Sequence, residues 1–245
     1  MQNIELKTVR EIALEMPLST RVFEEFRIDY CCGGKKPFRE ACSDAGVSAE
    51  LVANKLEEAF AADNTEQQID YWKMPLDDLV SHILGTHHVF TKSEITLLGP
   101  LMEKVASRHG ETHGELFMLK SYVLTLFGDL ASHMAKEEAI LFPYVRDLAR
   151  RNGEVSSSSP AFGTVYNPVR IMMAEHDRAG DLLRNMRKVT NGYELPEGAC
   201  PSYTALYNRL EALEEDLHQH IHLENNVLFP KAIELEKQIF PLAVG

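Results

Sequence analysis

The chain has 245 residues, 44% of them hydrophobic and 25% charged, with a formal net charge of −12. This is the composition of an ordinary globular protein, and the acidic balance argues against a nucleic-acid backbone as partner. No apolar run reaches the roughly eighteen residues of a membrane span. The four cysteines, two of them adjacent, do not form a disulfide framework, so a cytoplasmic, reducing location is expected.

In chain order, Met1 to Arg10 lacks an apolar h-region, so no secretory leader is expected. Thr8-x-x-Glu11 reads as a capping box opening a short helix that stops before Pro17. Ser19 reads as the cap of a second helix through Ile28. Asp29-Tyr30-Cys31-Cys32-Gly33-Gly34 is a turn by composition. Val47 to Ala62 is rich in helix formers, and Asp63 to Gln68 is polar. The expected organisation is a small helical domain over 1–62, a linker over 63–74 and a main domain over 75–245.

From Pro75 onward strand signals are nearly absent and the fold is expected to be all-α. Breaks near Gly110–Gly114, Asn152–Pro168 and Asn191–Pro201 leave four helical stretches. The Ser156–Ser159 run in the second break reads as a flexible loop. Three stretches carry a seven-residue apolar repeat. In the second it runs Leu116, Leu119, Val123, Leu126, Leu130, His133, Glu137, Ile140, Tyr144. In the third it runs Val169, Met172, His176, Ala179, Leu183, Met186. In the fourth it runs Tyr203, Leu206, Leu210, Leu213, Leu217, His220, Glu224, Val227. Alternating steps of three and four are the core seam of a helix bundle.

The polar residues in these seams carry the chemistry. His133-x3-Glu137-x3-Leu141-Phe142-Pro143 recurs as His220-x3-Glu224-x3-Leu228-Phe229-Pro230. Residues four apart share one helix face, so each block offers an imidazole and a carboxylate side by side. About 1.5 His-x3-acid pairs are expected by accident from ten histidines and 37 acids, so the pairing alone is weak. The shared Leu-Phe-Pro, the seam positions and the spacing lift it. His88, His133, His176 and His220 are separated by 45, 43 and 44 residues. One histidine per helix at one level is what a bundle-centre site requires. Pro143 and Pro230, six residues beyond each Glu, are expected to bend or end their helices.

The competing reading, a set of hydrogen-bonded core histidines, would leave several buried polar groups hard to satisfy. Imidazole with carboxylates positioned to bridge suits a pair of irons, then manganese. It fits neither thiolate-rich structural zinc nor oxygen-ligated calcium or magnesium. In the first helix His87 and His88 are equally placed by periodicity. His82, His109, His113, His218 and His222 read as surface histidines. Glu138 should point away from the site. Glu175 and Asp177, beside His176, read as solvated groups, with a supporting role behind the ligands as the alternative.

These residues resemble the repair-of-iron-centres family, iron–sulfur cluster repair proteins with a hemerythrin-like domain. The likeness spans nearly the whole chain. It rests on Asp29-Tyr30-Cys31-Cys32-Gly33-Gly34, His133-Met134-x-Lys136-Glu137-Glu138, Glu175-His176-Asp177-x-Ala179-Gly180 and His220-Ile221-x-Leu223-Glu224-Asn225-Asn226-Val227-Leu228-Phe229-Pro230. The resemblance implies a hemerythrin-like up-down four-helix bundle preceded by a small helical domain. It favours His88 over His87. It also implies that His88, His133, His176 and His220 bind two non-haem irons in an oxo- or hydroxo-bridged centre, with Glu137 and Glu224 bridging. The His-x3-His of oxygen-carrying hemerythrins is missing, because Gly180 stands four residues after His176.

The implied role is repair of clusters damaged by oxidative or nitrosative stress, by supplying iron to damaged iron–sulfur proteins. Reduction of nitric oxide to nitrous oxide at the two irons is one alternative, and binding or sensing of O2 or NO is another. Cys31 and Cys32 read as a redox or iron-transfer site, a docking turn or plain structural thiols. A homodimer is compatible with the resemblance.

Overall fold

The computed structural model describes residues 4–62, 69–151 and 160–240. The polar stretch 63–68 and the Ser156–Ser159 run lie outside the described residues. No strand occurs among the described residues, and no described helix is long and apolar enough to cross a membrane. The chain divides into two compact units, residues 1–75 with 218–231 and residues 76–217 with 232–245.

In the first unit a 3₁₀ turn (Ile4–Leu6) precedes α1 (Val9–Glu15), α2 (Ser19–Glu25), α3 (Phe38–Asp44) and α4 (Ala49–Ala62). Thr8 and Glu11 close the expected capping box. The Ser19 expectation fails: Ser19 is the first helical residue, fully buried, and the cap position is Leu18. The second helix also ends at Glu25 rather than Ile28, because Arg27 turns left-handed at φ 56°. The short α3 escapes the sequence pattern. Val9, Ile12, Phe23, Ile28, Tyr30, Phe38, Cys42, Val52 and Leu56 form the core.

The Asp29–Gly34 turn is fixed from both sides. Asp29 Oδ1 accepts the backbone N–H groups of Cys31, Cys32 and Gly33 at 3.1, 3.0 and 2.9 Å. Gly34 accepts from the Arg10 N–H at 2.7 Å. A Cβ on Gly34 would lie 2.5 Å from the Tyr30 carbonyl oxygen, so only glycine fits.

From residue 76 onward α5 (Leu76–Ile83) runs into α6 (Val89–His109), α7 (Glu115–Lys136) into α8 (Phe142–Arg150), α9 (Tyr166–Val189) follows, and α10 (Pro201–Leu223) runs into α11 (Phe229–Ile239), residues 218–231 of this last pair belonging to the first unit. Short links such as Gly110–Gly114 make neighbours antiparallel. Leu98, Met102, Leu119, Val123, Leu126, Leu183, Met186, Leu206, Leu210 and Leu213, drawn from all four rods, pack into one buried cluster. Each fully buried leucine is worth about 1.5–3 kcal/mol.

Candidate metal centre

Three rods are interrupted by a single π turn among the described residues: Leu84–His88, Glu137–Leu141 and Glu224–Leu228. The Phe142 N–H bonds the Glu137 carbonyl and the Phe229 N–H bonds the Glu224 carbonyl, each five residues back. Such turns are rare and cluster at functional sites, because the inserted residue re-aims the side chains around it. Of the bend or end expected at Pro143 and Pro230, the ending does not occur, since both helices continue past the proline. The wide turn before each proline accommodates a residue that has no N–H to donate. The Asn226 carbonyl, four residues before Pro230, instead accepts the Arg10 guanidinium at 3.2 Å.

The inserted residue shifts the seam. Ile140, expected inside, is 50% exposed, while Leu141, Phe142, Val145 and Leu148 are buried.

His88, His133, Glu137 and His176 are all buried, as are His220 and Glu224. Glu137 faces two imidazoles with different oxygens: Oε2 lies 3.4 Å from His88 Nε2 and Oε1 lies 3.3 Å from His133 Nε2. His133 Nε2 and His176 Nε2 are 3.0 Å apart, and His220 Nε2 is 3.0 Å from Glu224 Oε1. Ligand-capable atoms of His88, Glu137, His220 and Glu224 lie within 4.8 Å of one another, and so do those of His133, Glu137, His176 and Glu224. The two groups share both glutamates.

The donors fit a pair of cations. Neither Glu137 oxygen accepts a hydrogen bond from any described residue, and the side chain is wholly buried. A carboxylate held that way costs several kcal/mol unless a positive charge compensates it. The donor set is imidazole and carboxylate without thiolate, which suits iron.

Behind the clustered histidines stand two carboxylates. His88 Nδ1 is 2.7 Å from Glu138 Oε1, which also accepts Lys92 Nζ at 2.6 Å. His133 Nδ1 is 2.9 Å from Glu175 Oε2, and Lys136 binds the other Glu175 oxygen. A carboxylate can only accept, so each Nδ1 carries the proton and each Nε2 presents its lone pair to the site. Burial pushes the pKa of Glu138 and of Glu175 up. The hydrogen bonds from lysine and histidine outweigh it and hold both below the ordinary value. Glu138 thus does point away from the ligand cluster, but onto the back of His88, a role that helical spacing alone does not reveal. Replacing Glu175 with glutamine is expected to weaken iron binding about 10–100-fold, measured by competition with a chromogenic chelator. Unchanged affinity would show that Lys136 and the backbone suffice to hold His133.

The structure separates the adjacent histidines. His88 joins the cluster, whereas His87 Nδ1 is 2.9 Å from Asp216 Oδ1. The surface reading of the remaining histidines does not hold, since His82, His109, His113 and His218 are half-buried and His222 is buried. Burial pushes the His222 pKa down to about 4, and its Nδ1 accepts from the Asn226 amide at 2.9 Å. Cys31, buried, and Cys32, half-buried, are not disulfide-bonded, and their sulfurs are 3.8 Å apart. The hydrogen bond with Cys32 and then burial push the Cys31 thiol well above its ordinary pKa, so it is protonated at neutral pH. Cys42 is buried, and Cys200 lies 3.2 Å from His109 Nε2.

Residues 79–232 match the hemerythrin HHE cation binding domain, and residues 5–60 match the ScdA N-terminal domain, a domain of unknown function. The chain is 34% identical over 227 residues to a protein of Cronobacter sakazakii named iron-sulfur cluster repair protein YtfE, covering 93% of this chain and 96% of that one. Proteins of the same name from Escherichia coli K12 and Shigella boydii are each 35% identical over 225 residues, covering 91% of this chain and 94% of theirs. The hemerythrin HHE domain implies non-haem iron binding. With both domains matched in order and the likeness running through nearly the full length, this chain belongs to the repair-of-iron-centres family.

Proposed function

We propose that the protein binds two irons through His88, His133, His176 and His220, with Glu137 and Glu224 shared between them, and supplies iron to iron–sulfur clusters damaged by oxidative or nitrosative stress. The observation that carries this reading is Glu137, which turns one oxygen to His88 and the other to His133. The relatives' name supports the repair role. Each site would hold its ion with two imidazoles and the two shared carboxylates, fewer donors than six-coordinate iron accepts. Bound iron supplies exchangeable positions there, open to a client's ligands. His88 and His133 are oriented from behind by Glu138 and Glu175, so the cluster keeps its shape while the ions come and go. The adjacent thiols of Cys31 and Cys32 are consistent with a reducing cytoplasm and with a transfer or redox role.

The test mixes iron-loaded protein with a dehydratase whose cluster has been damaged. Recovery of activity beyond that given by the same amount of free ferrous iron is expected. Equal recovery would end the supply reading. Replacing Cys31 and Cys32 together with serine is expected to lower the recovery while leaving the iron content unchanged.

The two groups share both glutamates, which favours one further reading: adjacent irons could bring two NO molecules together. Anaerobic NO consumption with nitrous oxide as product distinguishes it from iron supply.

A further inference from the structure

Pro230 has no N–H, so the Asn226 carbonyl four residues before it loses its usual helix donor. That carbonyl lies inside the π turn Glu224–Leu228. The donor comes instead from Arg10 of α1, 216 residues away in the chain, whose guanidinium reaches it at 3.2 Å. A buried acceptor left without a partner is costly, so this one bond bears on the shape of the turn. Asn226 is itself buried and is held a second time. Its side-chain amide donates to the Tyr30 carbonyl at 3.3 Å and to His222 Nδ1 at 2.9 Å. Arg10, Tyr30, His222 and Asn226 all belong to the first unit.

Arg10 and Tyr30 also hold the cysteine turn. The Arg10 N–H donates to the Gly34 carbonyl at 2.7 Å, and the Tyr30 hydroxyl donates to Glu24 Oε1 at 2.9 Å. One residue thus bonds the end of the Asp29–Gly34 turn through its backbone and the turn that begins at Glu224 through its side chain. A guanidinium suits the second task. It stays charged, and a hydrogen bond from a charged donor is stronger than one from a neutral group. Arg10 is half-buried, so water competes little for it.

We infer that Arg10 is a positioning residue for the metal centre: by holding the Asn226 carbonyl it fixes the turn that begins at Glu224. The N-terminal domain matched over residues 5–60 thereby sets how firmly the centre keeps its iron. The inference rests on the reading of Glu224 as a shared metal ligand.

The experiment uses the full-length protein as wild type, Arg10→Met and Arg10→Lys. Iron affinity is read anaerobically by competition with a chromogenic chelator, and metal-free samples are followed by backbone hydrogen exchange. Arg10→Met is expected to weaken iron binding about 10-fold or more. It is also expected to speed exchange in the Glu224–Leu228 turn while the Glu137–Leu141 turn stays as in the wild type. Arg10→Lys, which keeps a charged donor, is expected to recover most of both. The inference is overturned if Arg10→Met matches the wild type in either reading. It is overturned if both π turns loosen together, because that is general destabilisation. Lysine no better than methionine would equally sink it, since both keep the apolar stem and only lysine keeps a donor. A wild type that takes up no iron ends the metal reading itself, and shows as such before any variant is compared.

Discussion

Replacing Glu137 with leucine is expected to empty the metal centre and to raise the melting temperature of the metal-free protein. The two effects have opposite signs because one carboxylate serves two states. With iron bound, Glu137 is the charge that faces both His88 and His133. Without iron it is wholly buried and accepts no hydrogen bond from a described residue. Both neighbouring imidazoles are neutral when unprotonated, so an apolar side chain of similar volume removes a carboxylate desolvation cost of several kcal/mol without stranding a partner charge. In a chain of this size each kcal/mol moves the midpoint by about 2–4 °C. Iron content by elemental analysis and melting of chelator-treated protein check both parts. A variant that keeps its iron sinks the shared-ligand assignment, and a metal-free variant that melts below metal-free wild type sinks the account of an uncompensated carboxylate.

Replacing Glu214 with alanine is expected to cost about 3–5 kcal/mol, because it strands a largely buried Arg187. The Arg187 guanidinium donates to Glu214 Oε1 at 2.8 Å, and the Tyr193 hydroxyl donates to Oε2 at 2.7 Å. The guanidinium also lies over the Tyr193 ring, 5.1 Å from its centroid. Tyr193 sits in a left-handed turn at φ 60°, pinned by its own N–H to Thr190 Oγ1. Losing the carboxylate therefore releases both the turn after α9 and the arginine. Glu211, 3.7 Å from Arg187, recovers part of the loss and places the cost at the lower end. The midpoint should fall by about 6–12 °C with iron stoichiometry unchanged. A fall under about 2 °C would show the network to be dispensable.

Much of the centre was legible before any coordinate. Period three-and-four seams put His133, His176, His220, Glu137 and Glu224 on buried stripes, because a heptad pattern fixes which face of a helix meets the core. The third and fourth seams are buried along their whole length. The second is right as far as Glu137 and then slips by one residue at the π turn, as Ile140 and Leu141 show. A π turn leaves no mark in an apolar pattern that is read at constant period. It depends on the backbone finding a better packed arrangement with one residue looped out.

Groups that act across helices were harder to read. On its own helix Glu138 reads as pointing away from the site and Glu175 as solvated, with a supporting role as the alternative, and only packing brings them to His88 and His133 from 50 and 42 residues away. His222 reads as a surface residue by its type, but it is buried beside Tyr30, with ring centroids 5.4 Å apart.

By itself the sequence determined the helical class and the buried seams that carry the histidines and glutamates, since each follows from local periodicity and side-chain chemistry. Only the tertiary structure decided that π turns interrupt the rods beside the clustered histidines and that Glu138 and Glu175 stand behind His88 and His133, whereas for His87 and His88 periodicity left the choice open and the family resemblance had already favoured His88. Those outcomes depend on distances between helices, and a linear pattern holds no information about how far apart two helices come to rest.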